Sequence, residues 1–182
     1  MRGCPGVDAE PRILGYRELC RGRRFALGQI EALIRGRRQV YDTLRHPGAV
    51  AVVAVDEAGR VLLERQYRPS VGEWLYEIPA GTLEPGEQPE ETARRELVEE
   101  TGYEPGWLRL LARFYTSPGV STEVMYIYAA GDLREAEARP EEDELIETLW
   151  IPLDEALEMI RRGEIRDGKT VAGLLLYKVF MG

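Results

Sequence analysis

The sequence predicts an α/β sandwich preceded by an antiparallel β region, and three observations carry that prediction. Residues 48–55 (GAVAVVAV) are continuously apolar and β-branched, the pattern of a strand buried on both faces. Strand-like segments recur on both sides of one strongly helical stretch that opens on Pro89 and closes on Gly102. Two more helical patterns finish the chain, at 152–163 and 170–180.

A chain of 182 residues is long enough for one substantial core. With 44% hydrophobic and 31% charged residues its composition is that of a soluble globular protein. No run approaches the roughly 20 apolar residues of a membrane span, and the N-terminal MRGCPGVDAEPR lacks a secretory signal's apolar stretch. Cys4 and Cys20 are too few for a disulfide framework, so a cytoplasmic location is expected. A net charge of −8 argues against nucleic acid as a partner, because that binding rests on cationic contacts.

Taken in order, residues 12–20 and 23–44 read as strands, with turns near Gly22 and at Arg35-Gly36-Arg37. Asp56-Glu57-Ala58-Gly59 is a turn, and Arg60 to Tyr67 alternates as a second central strand, ended by Arg68-Pro69. Trp74 to Gly81 leads into the helical stretch, within which Ala93 and Leu97 form a core-facing strip. Leu108–Tyr115 and Val124–Ala130 read as further strands, joined by Ser117 to Glu123 with a Pro-Gly turn. An acidic segment, 135–147, precedes a last strand at Thr148–Ile151. The helix at 152–163 has acids at its start and arginines at its end. The final helix places Val171, Leu174, Leu175 and Lys178 on one side. The single histidine, His46, has no partner histidine or cysteine in the pattern and is read as non-catalytic.

The chemistry concentrates in the first helix. Glu96, Glu99 and Glu100 fall three and four residues apart, so their carboxylates share an arc of the surface and repel. A solvated acidic face is the ordinary outcome of such a run. A hard divalent cation with oxygen ligands would offset the repulsion, and magnesium completes its shell with water and substrate phosphates. The wider order is Gly81, five residues, Glu87, seven residues, then Arg95-Glu96-Leu97 and the acidic pair before Gly102. That order resembles the signature of the Nudix hydrolases, which cleave nucleoside diphosphates linked to another moiety. Tyr103 stands where the family usually has an aliphatic residue.

Flanking features resemble the ADP-ribose pyrophosphatase branch: Arg65-Gln66-Tyr67-Arg68-Pro69, Glu77-Ile78-Pro79-Ala80-Gly81, and Pro118 fifteen positions after Tyr103. The resemblance implies a Nudix-type α/β/α sandwich over residues 45–182 with a mixed central sheet. It implies that residues 1–44 form an N-terminal antiparallel β extension that builds a homodimer. Phe25 and Tyr41 are candidate stacking residues there, with core packing the favoured reading for each. It puts metal on the Ala80 carbonyl, Glu96, Glu99 and Glu100, with Mg2+ expected and Mn2+ or Zn2+ as alternatives. Glu99 is a catalytic candidate as well, and so are Glu144 and Glu142, either of which would serve the attacking water. Arg68 would clamp a phosphate by bidentate contact, or pair with an acid. Pro118, Gly119 and Glu123 would form a substrate loop. Arg95 is read as pairing with a motif glutamate and fixing its rotamer, and Glu87 as an outer metal residue and not a primary ligand. The implied reaction is hydrolysis of ADP-ribose to AMP and ribose 5-phosphate. The alternatives are FAD, NADH, a dinucleoside polyphosphate or a nucleoside triphosphate as substrate, or a non-catalytic nucleotide sensor.

Overall fold

A computed structural model describes residues 10–139 and 145–182. These fall into two compact units, one running to Pro47 and including Tyr115–Glu123, the other comprising Gly48–Phe114 and Val124–Gly182.

The first unit is an antiparallel meander of β1 (Arg12–Arg21), β2 (Ala26–Ile34) and β3 (Arg37–Arg45). Ile34 pairs with Arg37, so the second hairpin has a two-residue loop. Arg35 and Gly36 both take positive φ there, 51° and 73°, the backbone twist that such short hairpins favour. The loop Tyr115–Glu123 joins this unit through Leu44, whose N–H donates to the Val120 carbonyl at 2.8 Å and whose carbonyl accepts from Thr122 at 2.9 Å. Pairing across more than seventy residues leaves no local trace in the sequence.

The second unit is built around β4 (Ala49–Ala54), in which every residue is buried. Its pleat sends alternate side chains to opposite faces. Ala49, Ala51 and Val53 join one core with Ile78 and Leu174, while Val50, Val52 and Ala54 join another with Leu62, Ala93 and Leu97. β4 sits in a mixed sheet ordered β7 (Ala80–Thr82), β4, β10 (Val124–Gly131) and β9 (Trp107–Tyr115). It runs parallel to β10 and antiparallel to β7. A second, antiparallel sheet is ordered β12 (Ile146–Pro152), β5 (Arg60–Arg68) and β6 (Glu73–Glu77). The two-residue strands β8 (Tyr103–Glu104) and β11 (Arg134–Glu135) pair with each other. Helix α1 (Pro89–Thr101) packs on the Val50 face, and α2 (Leu153–Arg161) and α3 (Gly168–Phe180) pack on the Ala51 face. The result is the mixed α/β fold anticipated. Tyr103 packs edge-on against Trp150 with ring centroids 5.5 Å apart, so an aromatic at that position fills core space.

The apolar stripe read for the last helix needs correction. Leu175 is exposed, and the buried residues of α3 are Thr170, Gly173 and Leu174. A Cβ at Gly173 would lie 2.8 Å from Ile78 and 3.1 Å from Val53, so the helix approaches the sheet along its glycine. That contact turns Leu175 outward. Among the described residues, no helix is long and apolar enough to cross a membrane.

Candidate active site

Local sequence sets the position of α1. Gln88 caps it, Pro89 supplies a preset φ at the first turn, and the Glu91 carboxylate accepts from the Gln88 N–H at 3.0 Å. Gly102 ends it in the left-handed conformation, φ 73°, donating to the Val98 carbonyl at 2.9 Å. Ala93 and Leu97 are fully buried against the sheet. That seating carries Glu96 and Glu100 to the backbone of β7.

Glu100 is 6% exposed, and its Oε2 accepts the Ala80 N–H at 2.9 Å. The Glu96 carboxylate lies directly over Gly81: a Cβ there would be 1.9 Å from Glu96 Cδ. Only glycine permits this approach. Glu99, with a side chain 43% exposed, is the outermost of the three.

Arg95 ties the acids together. Its Nε and Nη2 donate to the two oxygens of Glu87 at 2.9 and 3.0 Å, and its Nη1 donates to Glu96 at 2.9 Å and Glu99 at 3.0 Å. The repulsion that the sequence pattern leaves uncompensated is therefore offset by a guanidinium of the same helix. The Arg95 hydrogen bonds hold the Glu87 carboxyl down at about 2, and the Arg95 guanidinium is raised chiefly by Glu87.

The donor set fits a hard divalent cation: a buried carboxylate, a second carboxylate pressed on glycine, and the adjoining main chain at Ala80 are all oxygen-bearing. Among the described residues no three acidic, histidine or cysteine side chains converge as a ligand cluster. Glu96 and Glu99 are turned to Arg95 instead.

Arg68, at the end of β5, donates Nε and Nη2 to Glu77 at 2.8 and 2.7 Å. Of the two roles open to it, pairing with an acid is the contact present in this structure. Glu77 is 1% exposed and is also bonded by Lys169. Burial raises the Glu77 carboxyl, but the Arg68 hydrogen bond and the Lys169 charge bring it below its ordinary value. Glu77 belongs to a feature legible in the sequence, but its pairing with Arg68 and Lys169 was not apparent there. The available signal was an acid directly before Ile78-Pro79-Ala80 and one of only two lysines at a helix start.

Glu142 and Glu144 lie outside the described residues. The chain approaching them is tied to the end of α1, with Ala136 N–H donating to Gly102 at 2.7 Å and Arg139 N–H to Glu99 at 2.8 Å. Pro118, Gly119 and Glu123 belong to the first unit. There Glu123 accepts from Thr116 at 2.6 Å and sits 3.5 Å from His46 Nδ1, a neighbour that the sequence pattern did not reveal. A cavity of about 780 Å3 lies along the outer side of α1, lined by Gln88, Arg94, Arg95, Glu99 and Glu104 among others. It shares Arg95 and Glu99 with the acidic cluster but not Glu96 or Glu100. The docked carboxylates, rather than the cavity, therefore locate the chemistry.

The signature's residues are thus gathered on one helix, the connection before it and one short strand, and the NUDIX domain profile matches residues 45–174. The chain belongs to the Nudix family. It is 42% identical to an ADP-ribose pyrophosphatase of Bacillus subtilis over 137 residues, 74% of each chain. It is 44% identical to a GDP-mannose pyrophosphatase of Citrobacter koseri over 150 residues, 76% of each. Its fold matches a solved structure titled as an ADP compounds hydrolase at a TM-score of 0.82, with 25% identity and 95% of both chains covered.

The Nudix signature pair Arg95–Glu87 makes a pH-dependent contribution. The Glu87 carboxyl is depressed from 4.5 to about 2, so its stabilisation is complete above pH 4.5 and disappears as pH falls through about 2. Glu87→Gln should be less stable than the wild type at neutral pH, with the gap closing across that acid window. Urea unfolding as a function of pH reads this directly. A gap that stays constant down to pH 2 would contradict the pairing.

Proposed function

We propose that this chain hydrolyses the pyrophosphate of ADP-ribose, releasing AMP and ribose 5-phosphate. The observation that carries the proposal is the seating of Glu96 and Glu100 on the Ala80–Gly81 backbone beside Arg95. The pyrophosphatase relatives supply the substrate class, a nucleoside diphosphate joined to a sugar. The arginine before proline at Arg68 and the Pro118 segment favour ADP-ribose within that class.

One water is consumed. Its oxygen bonds to a phosphorus as the bridging P–O bond breaks, and its proton leaves to a base. Ala80, Glu96, Glu99 and Glu100 would hold a divalent cation, magnesium with manganese or zinc as alternatives, in exchange for the Arg95 contacts. Such a cation supplies charge neutralisation at the phosphate and an acidified water. Glu100 is fixed by the Ala80 N–H, and Arg95 keeps the neighbouring acids within reach. Arg68 holds a phosphate oxygen. Glu144, or Glu142, takes the proton of the attacking water. Positioning and electrostatics suffice, without a covalent intermediate.

AMP release from ADP-ribose, assayed beside GDP-mannose, FAD and ATP, with magnesium and then with chelator, tests this reading. ADP-ribose should turn over best, and chelator should abolish turnover. Glu100→Gln should lower kcat by about a hundredfold or more while the fold holds, because the amide oxygen still accepts the Ala80 N–H. A fully active Glu100→Gln enzyme would sink the assignment.

We also propose that the chain is a homodimer joined through the β1–β3 sheet. All of β1 except Tyr16 is exposed, and Ile13, Leu19, Val40 and Tyr41 are large apolar side chains left open on this sheet. Light scattering should give twice the chain mass of 20.6 kDa; a single-chain mass would contradict it.

A further inference from the structure

Glu77 is a charged group with no place in the signature. It closes β6 with 1% exposure, and burying a carboxylate costs several kcal/mol unless cations and hydrogen bonds compensate it. Here two cations do so. Arg68 meets both carboxylate oxygens side-on, through Nε at 2.8 Å and Nη2 at 2.7 Å, and Lys169 bonds Oε2. Lys169 is in turn 3.0 Å from Asp167, the cap of α3, which accepts from Thr170 N–H at 2.9 Å. Thr170 Oγ1 accepts the Ile78 N–H at 2.9 Å. The end of β5, the end of β6 and the first turn of α3 are therefore joined by one polar network.

The consequence falls on Arg68. A guanidinium is planar, and two parallel bonds along its Nε–Nη2 edge fix the plane completely. The Nη1 end lies outside the Glu77 pair, on a side chain that is 30% exposed. An arginine that had to be ordered at each binding event would lose rotamer freedom each time; one held by a buried carboxylate has already lost it.

We infer that Glu77 is a positioning residue: it holds the Arg68 guanidinium so that the Nη1 end meets a phosphate oxygen of the substrate, with Lys169 balancing the buried charge. This rests on Arg68 being the phosphate clamp of the proposed reaction. A network that merely pins α3 to the sheet would need none of this orientation.

A kinetic double-mutant cycle on ADP-ribose separates the two roles. Arg68→Ala should lower kcat/KM about tenfold or more, carried mainly by KM. Glu77→Gln should produce a loss of similar size, again in KM. In the Arg68→Ala background, Glu77→Gln should cost less than about twofold further, because its target is gone. If Glu77→Gln costs the same factor in both backgrounds, its role is structural and the inference is overturned. Arg68→Ala with unchanged kcat/KM would instead refute the clamp itself, and the inference with it. Should Glu77→Gln fail to fold, Arg68→Lys decides: it keeps the charge but loses the paired edge, so it should resemble Arg68→Ala. Full activity of Arg68→Lys would overturn the inference.

Discussion

The contact on which the rest of the site depends is the approach of two glutamates of α1 to the main chain of β7. Glu96 presses on Gly81 so closely that no side chain fits between them, and Glu100 accepts the N–H of the residue before it. Each surrounding feature serves that approach. Ala93 and Leu97 seat the helix on the buried strand β4, and β4 holds β7 by antiparallel pairing of Ala51 with Ala80. Gln88, Pro89 and Gly102 fix where the helix begins and ends, so the acids cannot slip by a residue without losing a cap. Burial of a few small apolar residues thus places charged groups to within ångströms.

Electrostatics then has to make that placement tolerable. The chain carries a net charge of −8, and the site gathers further acid into one corner. It answers with internal arginines in fixed geometry. Arg95 bonds three carboxylates, and Arg68 is locked side-on against buried Glu77. In both places the cation lies on a regular element and is oriented by more than one bond, which distinguishes these pairs from ordinary surface ion pairs that contribute little. In the proposed reaction a divalent cation would take the place of the guanidinium at Glu96 and Glu99.

Much of this was legible in the sequence because it is local. The glutamate helix is marked by proline at its start, glycine at its end and a strict three-and-four spacing, and β4 is marked by an unbroken apolar run. What was not legible depends on long-range contact. β6 and β7 are short strands on either side of Pro79 and have no periodicity long enough to read. The Tyr115–Glu123 loop joins β3 by backbone bonds that any sequence could make. The face of α3 was misassigned because Gly173, and not a large apolar residue, is the point of closest approach to the sheet. Glu77 and Lys169 are 92 residues apart, and each alone looks like a surface charge. The repulsion among the motif acids was legible, and so was the pairing of Arg95 with a motif glutamate; that one guanidinium bridges Glu87, Glu96 and Glu99 together was not.

The most direct test of this account is Gly81→Ala. The added methyl would meet the far end of a flexible glutamate side chain, so Glu96 should swing away and the fold should survive with little change in melting temperature. Pyrophosphatase turnover should nevertheless collapse, because a carboxylate proposed to hold the cation would have left the strand. A Gly81→Ala enzyme with wild-type kcat/KM would contradict the claim that this close seating builds the site.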